Sequence, residues 1–378
     1  MAGSSFGTIF RVTTFGESHG PALGCIVDGC PAGLPLSEED LRPMMARRRP
    51  GQGALSTPRK EADEARILSG VFEGKTTGTP ICILIENTNA RSGDYDHLRE
   101  VYRPGHADYC FATKYGLRDH RGGGRSSGRE TAARVAAGAV AQVLLKRLGI
   151  RCAARLSAVG NIAIPAETTA ESATATDAAV ENAGSLPVTT AEGSAASAET
   201  AVAALLANCR KEGDSIGSTV TLSVTGLPVG LGDPVFEKLD ANLAKAMFSI
   251  GAVKGLDIGE GRRAALLYGS ENNDAFVLEN GQVKKATNHS GGILGGMSDG
   301  DELSLKVYFK PTPSISRAQR TVTTGGKETE LSIHGRHDPV IGARAAVVVE
   351  AMAALVLADA LLLGMGAKLE NLEKIYRE

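Results

Sequence analysis

The chain of 378 residues has no tryptophan, and aromatic residues make up only 4% of it. Together with a formal net charge of −2, this argues against a nucleic-acid partner, which needs stacking platforms and a positive field. Cysteines stand at 25, 30, 82, 110, 152 and 209, none of them paired at CxxC spacing. Zinc and thioredoxin-type redox chemistry therefore lack support and no metal is expected; the thiols read as reduced and buried in a cytosolic protein. No apolar run near the N-terminus is long enough for a signal peptide, so the expected location is cytoplasmic. The most apolar stretch, 343–363, is interrupted by Arg344, Glu350 and Asp359, and reads as a buried helix rather than a membrane span. Lys and Arg are missing altogether between Arg155 and Arg210. Within that gap, 165–200 is mostly Ala, Thr, Ser and Glu, with six acidic residues and no basic one. Such a composition buries little apolar surface and reads as a low-complexity, solvated insertion, partly helical or disordered, within one domain spanning 1–378.

What is present suits a soluble enzyme: 42% hydrophobic residues, enough for a large core, and 46 glycines for turns. Residues 6–15 mix β-branched and aromatic side chains and predict a strand ending at Gly16. Ser37 can cap a helix whose first turn carries Glu38, Glu39 and Asp40. That helix delivers Arg47, Arg48 and Arg49 to its C-terminal end, where Pro50 and Gly51 stop it. Residues 81–86 predict a short apolar strand. Residues 130–148 predict an Ala-rich helix ended by Gly149, whose small residues Ala132, Ala133, Ala136, Ala137 and Gly138 let another element pack close. Strands are expected at 219–225 and 303–309, and a helix at 236–248. Strands and helices do not alternate at βαβ spacing, which favours an α+β fold with antiparallel sheet over a doubly wound one.

Four segments concentrate glycine, arginine and histidine. Gly16-Glu17-Ser18-His19-Gly20 puts a Ser-His pair on a turn leaving a strand, where side chains can project into a cleft or simply stay exposed. Arg103-Pro104-Gly105-His106-Ala107-Asp108 sets a second His beside glycine; imidazole can give or take a proton near neutral pH. Residues 121–130, RGGGRSSGRE, run into the Ala-rich helix. Their glycines, helix start, arginines and serines make an anion site, unless the arginines are merely solvated. The spacing is neither the P-loop nor GxGxxG. Gly335-Arg336-His337-Asp338-Pro339 precedes the last long helix and can be no more than a helix-entry turn. Arg48, Arg59, Arg103, Arg125, Arg129 and Arg336 all lie in or near these loops; if they converge, their partner carries several anionic groups.

Taken in order, FGESHG at 15–20, RPGHAD at 103–108, GGGRSSGRET at 122–131 and RHDP at 336–339 resemble the signatures of the chorismate synthase family. SIGAVKG at 249–255, NHSGGILGG at 288–296 and KPTPS at 310–314 extend the resemblance, which runs from residue 6 to about residue 363 apart from the insertion. It implies a β-α-β sandwich assembled as a homotetramer, each chain a single catalytic domain. It also implies a lyase that eliminates phosphate from 5-enolpyruvylshikimate 3-phosphate, by a 1,4-anti elimination, to give chorismate in aromatic amino-acid biosynthesis. The implied cofactor is reduced FMN, with NADPH a candidate reductant.

The same resemblance implies roles for residues. His19 would protonate the departing phosphate, and His106 would stabilise or protonate the reduced flavin. Ser18, Arg48, Arg59, Arg103, Arg129 and Arg336 would hold the substrate. Arg125, Ser126, Ser127, Gly251, Ala252 and Gly295, with Lys310, Pro311, Thr312, Pro313 and Ser314, would contact FMN, and Arg336 is shared between the two sets. Asp338 would act as a base near the flavin, neutralised by Arg336, or else only cap the last helix. Two positions depart from the family pattern. Gly251 stands where many relatives carry Asn, removing one flavin contact. Ala54 stands where many carry Arg, which weakens the case for NADPH.

Two other classes make distinct expectations. A nucleic-acid binder using the arginine-rich first third would give a salt-dependent gel shift. A flavin-independent phosphatase would release phosphate from the substrate with oxidised flavin or none.

Overall fold

Alternation of apolar residues builds two antiparallel sheets, each with one face turned inward. In the computed structural model, which describes residues 3–49, 62–88, 92–166, 195–333 and 338–377, the first sheet holds β1 (Ser5–Phe6), β2 (Arg11–Gly16), β3 (Ala22–Asp28), β4 (Ala65–Ile67) and β5 (Ile81–Glu86). Its order is β1-β2-β3-β5-β4, with Cys25 paired to Ile83. Leu23, Cys25 and Val27 on β3 and Ile81, Ile83 and Ile85 on β5 are fully buried; the side chains between them turn outward, as the two-residue period of a strand requires. The second sheet holds β6 (Arg151–Val159), β7 (Ile162–Ala163), β8 (Ser218–Thr225), β9 (Val253–Ile258) and β10 (Leu303–Phe309) in the order β9-β10-β8-β6-β7. Val220, Leu222 and Val224 face inward there with Leu303, Leu305 and Val307.

Helices fill the space between the sheets. The α1 helix (Glu38–Arg48) starts on a Ser37–Asp40 capping box with three acidic residues in its first turn, the expected start. The α2 helix (Asp108–Tyr115) ends on left-handed Gly116. The α3 helix (Thr131–Arg147) packs on β3 and β5, and α7 (Gly342–Gly364) packs on β6 and β8, while α3 and α7 pack on each other. The architecture is thus sheet, helix, helix, sheet, in line with the expected β-α-β sandwich. Completing the set are α4 (Ala195–Glu212), α5 (Leu239–Phe248), the single turn α6 (Gly269–Asn272) and α8 (Leu369–Tyr376).

The inter-helix contact depends on small residues. A Cβ on Gly138 would lie 2.4 Å from the Ala351 Cβ, so only glycine permits this crossing. Because α7 meets α3 on one side and a sheet on the other, Ala345–Ala358 are all buried. It is apolar enough to cross a membrane by length and composition, but its environment is that of a core helix.

Two expectations change. The strand expected over 6–15 is a hairpin: Gly7 adopts φ +88°, and the Thr8, Ile9 and Phe10 amides turn to donate to the Asp359 carboxylate at 2.7–2.9 Å. Of the insertion expected over 165–200, residues 167–194 lie outside the described set. Residues 195–200, however, already belong to α4, where Ala198 is fully buried.

Candidate active site

Both sheets and both central helices contribute to one cleft of about 520 Å³, within the size range of ligand sites. It brings together Ser18 and His19, Arg103 and His106, Arg125 to Arg129, Gly251 and Ala252, Lys310, Thr312 to Ser314, and Asp338. These arrive from the turn after β2, the loop before α2, the loop into α3, the entry to β9, the end of β10 and the approach to α7.

The two imidazoles rest on consecutive glycines. A Cβ on Gly122 (φ +68°) would lie 2.2 Å from His19 Cε1 and 2.4 Å from Nδ1. A Cβ on Gly123 (φ +98°) would lie 2.9 Å from His106 Cε1. Left-handed backbone and close ring approach thus both demand glycine here. His19 is flanked by Ser18 Oγ, 3.2 Å from Nδ1, and by the Tyr95 ring in an edge-on contact at 5.0 Å. The Nδ1 atom of His106 lies 2.9 Å from Asp108 Oδ1. Asp108 also takes a bidentate bond from Arg103, at 2.7 Å to each oxygen, and pairs with Arg118. Burial raises the Asp108 pKa, but bonds from Arg103 and His106 outweigh it and hold the carboxyl well below its usual range. An ionised carboxylate can only accept, so His106 donates from Nδ1 and leaves Nε2 for proton transfer.

The arginines line the cleft, but several are tied from behind. Arg48 is 1% exposed. It donates to Asp63 at 2.8 Å, to the Gly128 carbonyl at 2.8 Å and to Thr131 Oγ1 at 3.3 Å. Burial pulls its pKa down to about 10, which leaves it charged at neutral pH. Arg129 donates to the other Asp63 oxygen and to Asn87 Oδ1. Arg103 spends its fork on Asp108. Arg125 reaches to the Thr14 and Gly16 carbonyls of β2, bracing the turn that carries His19. Lys310 donates to the Gly105 carbonyl at 2.9 Å, and burial, with nearby Lys254, lowers its pKa. The arginine excess noted in the sequence is therefore partly scaffold.

Asp338 accepts from Arg344 Nη1 at 2.7 Å. Arg344 is thus a counter-ion of Asp338 among the described residues; Arg336, the counter-ion expected from the sequence, and Arg59 lie outside them. The capping alternative fails, because the N-cap position of α7 is Ile341 and the first amide, Gly342, donates instead to Ser218 Oγ at 3.1 Å. Gly295 and Pro311, expected at the flavin, do not line this cleft. A Cβ on Gly251 would meet nothing within 4 Å, so the Asn expected there from the family pattern would have room. Ala252 takes φ +73°, a left-handed backbone that costs a β-carbon residue about 1–2 kcal/mol.

Several participants escaped the sequence reading. Arg344 carried a signal, a cation in the first turn of an apolar helix, where the dipole disfavours it. Tyr95, Asn87 and Asp63 carried none, being single residues in unremarkable loops. Arg134, which pairs with Glu130 and donates to Ser249 Oγ at 2.6 Å, was masked by the alanine run around it. Among the described residues, six arginines and one lysine line the cleft against two carboxylates, Glu130 and Asp338.

Comparison with known proteins gives a consistent picture. The family model for chorismate synthase matches residues 10–362. A chorismate synthase of Agathobacter rectalis is 53% identical over 378 residues, the whole of both chains. One of Methanosarcina mazei is 51% identical over 363 residues, 96% of this chain and 97% of that one. The fold superposes on a crystal structure of chorismate synthase with a TM-score of 0.70 and 30% identity, covering 98% of this chain and 96% of that one.

Proposed function

The chain belongs to the chorismate synthase family, and from that premise we propose how its own residues carry the family's reaction. The protein is a lyase: it eliminates phosphate from 5-enolpyruvylshikimate 3-phosphate to give chorismate, the final step of the shikimate pathway. The C3–O bond breaks, phosphate leaves, one hydrogen is lost from C6, and a new double bond forms.

The observation that carries the residue assignment is the pair of imidazoles seated on Gly122 and Gly123 in a cleft where arginine outnumbers carboxylate. The substrate brings one phosphate and two carboxylates, and such a load needs this excess of charge-assisted donors. His19, steadied by Ser18 and Tyr95, protonates the departing phosphate, whose second pKa lies near 6. Arg129, with Arg48 behind it, holds substrate anions; Arg103 serves mainly to fix Asp108 and through it His106. Asp338, paired with Arg344, takes up the proton from C6.

Reduced FMN fits the remaining wall. Arg125 to Ser127, Ala252, Lys310 and Thr312 to Ser314 would hold it, with the glycine-rich turn and Lys310 as donors toward its phosphate. When bound, it supplies reversible electron donation, so the overall reaction is redox-neutral. His106 would then face it, with Nε2 free to hold a proton. NADPH is the candidate reductant. The working assembly is a homotetramer in the cytoplasm, a reading supported by large apolar side chains left exposed on the single chain, among them Phe236 at 88%, Tyr268 at 78% and Leu278 at 78%.

An anaerobic assay with chemically reduced FMN, reading chorismate by absorbance, tests the assignment. Wild-type protein turns over only with reduced flavin, and His19→Ala and His106→Ala each lose turnover strongly. Equal phosphate release with oxidised flavin or none would overturn the flavin-dependent reading.

A further inference from the structure

The cleft arginines Arg48 and Arg129 come from different places in the fold, the end of α1 and the loop before α3. One carboxylate joins them. Asp63 gives Oδ2 to Arg48 at 2.8 Å and Oδ1 to Arg129, and its side chain is 0% exposed. It does not line the cleft; it stands behind the arginines that do. Its backbone is left-handed, with φ +48°, an uncommon conformation for a residue with a β-carbon. Such strain persists only where the surroundings enforce it. Burial raises its pKa, but Arg48 and Arg129 outweigh that and hold it ionised below the usual carboxylate range. Within this triad two cations and one anion leave a net charge of +1.

We propose that Asp63 is a positioning residue of the substrate site, which sets the mutual register of Arg48 and Arg129 and cancels one of their two charges. The inference rests on the reading that these arginines face a substrate anion, and it adds a division of labour. An uncompensated pair of buried guanidinium groups would hold any small anion tightly, including the phosphate product. With the carboxylate between them, the pair keeps a single net charge in fixed geometry, which favours a substrate that also makes other contacts. The cost of leaving two like charges adjacent is what Asp63 removes.

The proposal makes two quantities move in opposite directions, which a merely structural role would not do. In Asp63→Asn, KM for 5-enolpyruvylshikimate 3-phosphate rises by about tenfold or more, as expected on losing a charge-assisted contact. At the same time, inorganic phosphate becomes a better competitive inhibitor, its inhibition constant falling several-fold. Asp63→Glu keeps the charge but lengthens the arm. It raises KM and leaves phosphate inhibition near wild type, and it carries the test if Asp63→Asn does not fold. Wild-type KM in the folded variants, or weaker phosphate inhibition in Asp63→Asn, overturns the proposal. Arg129→Ala separates the two layers of argument. If its KM is unchanged, the arginine does not hold substrate and the underlying reading fails. If its KM rises while Asp63→Asn behaves as wild type, only the role of Asp63 fails.

Discussion

Gly122 approaches the His19 imidazole so closely that a Cβ there would stand 2.4 Å from Nδ1. The glycine-rich loop is therefore a seat for the ring as well as an anion cradle. Gly122→Ala should displace His19 and impose a left-handed alanine costing about 1–2 kcal/mol. The expected outcome is a melting temperature lowered by a few degrees and turnover lowered by roughly 10²-fold or more. Steady-state kinetics and a melting curve on one preparation check it. A variant as fast as wild type would show that the ring does not need this seat.

His19→Ala and His106→Ala should each lower kcat by ~10²–10⁴-fold while the protein stays folded and assembled. For His106, Asp108→Asn is the informative companion. It keeps the side-chain shape but removes the negative charge and one of the two acceptor oxygens shared by His106 and Arg103, so its effect on kcat should be large and should not add to that of His106→Ala. Additive losses would separate the two residues.

Acid should weaken this wall of the cleft. Asp108 and Asp63 are each held below the ordinary carboxylate range by arginine despite burial. Their folded pKa values lie below the unfolded value of about 3.9. The stability they contribute is therefore complete above the unfolded value and is lost as pH falls through the folded one. At pH 7 Asp108→Asn should be less stable by about 3–5 kcal/mol, as when one partner of a buried pair is removed. That deficit should shrink as the pH is lowered toward 3. Urea unfolding at several pH values measures it; a deficit independent of pH would mean that ionisation of Asp108 is not what stabilises the loop.

The α3–α7 crossing can be probed apart from the chemistry. Gly138→Ala places a methyl 2.4 Å from the Ala351 Cβ and should destabilise by about 1–3 kcal/mol, the usual range for overpacking. Ala351→Gly in the same chain should restore part of the loss, since it removes the atom that is struck. Chemical denaturation of the single and double variants decides the matter, and absence of any recovery would place the strain elsewhere.

What could be read from the sequence follows from where the information lies. Periods of two and of 3.6 residues are local. The strands Ile81–Glu86 and Leu303–Phe309 and the helix Gly342–Gly364 accordingly stand within a residue of where the pattern put them. The small residues of α3 foretold a close neighbour, and Gly138 against Ala351 is that contact. Pairing between charges is not local. Nothing in the sequence says that Asp63 joins Arg48 to Arg129, or that Arg344 meets Asp338, because those contacts exist only once the fold brings the segments together. The 6–15 stretch has good strand residues throughout, yet Asp359, some 350 positions away, draws its amides into a turn.

Asp338 is where geometry narrows the alternatives most. A helix cap was one candidate role, but Ser218 Oγ serves the first amide of α7 and Ile341 holds the N-cap position. The Asp338 carboxylate instead accepts from Arg344 at 2.7 Å, and its own carbonyl accepts from Thr312 Oγ1 at 2.9 Å. Thr312 belongs to the segment assigned to flavin, so the backbone of Asp338 is anchored beside that segment while its side chain lines the cleft. In the proposed role, the Asp338 carboxylate takes the C6 proton with the Arg344 guanidinium beside it. Asp338→Asn keeps the shape and removes the charge. It should fold with a melting temperature within a few degrees of wild type, because a partly exposed pair contributes only about 0–1 kcal/mol. It should bind FMN normally in the presence of substrate, and its anaerobic kcat should fall by roughly 10² or more. Ser218→Ala is the matching control. Losing a cap hydroxyl costs about 0.5–2 kcal/mol, so this variant should melt earlier yet turn over at the wild-type rate. Should Asp338→Asn instead melt early and turn over normally, the carboxylate would be a structural tether for Arg344, and the proton from C6 would have to go to another group in the cleft.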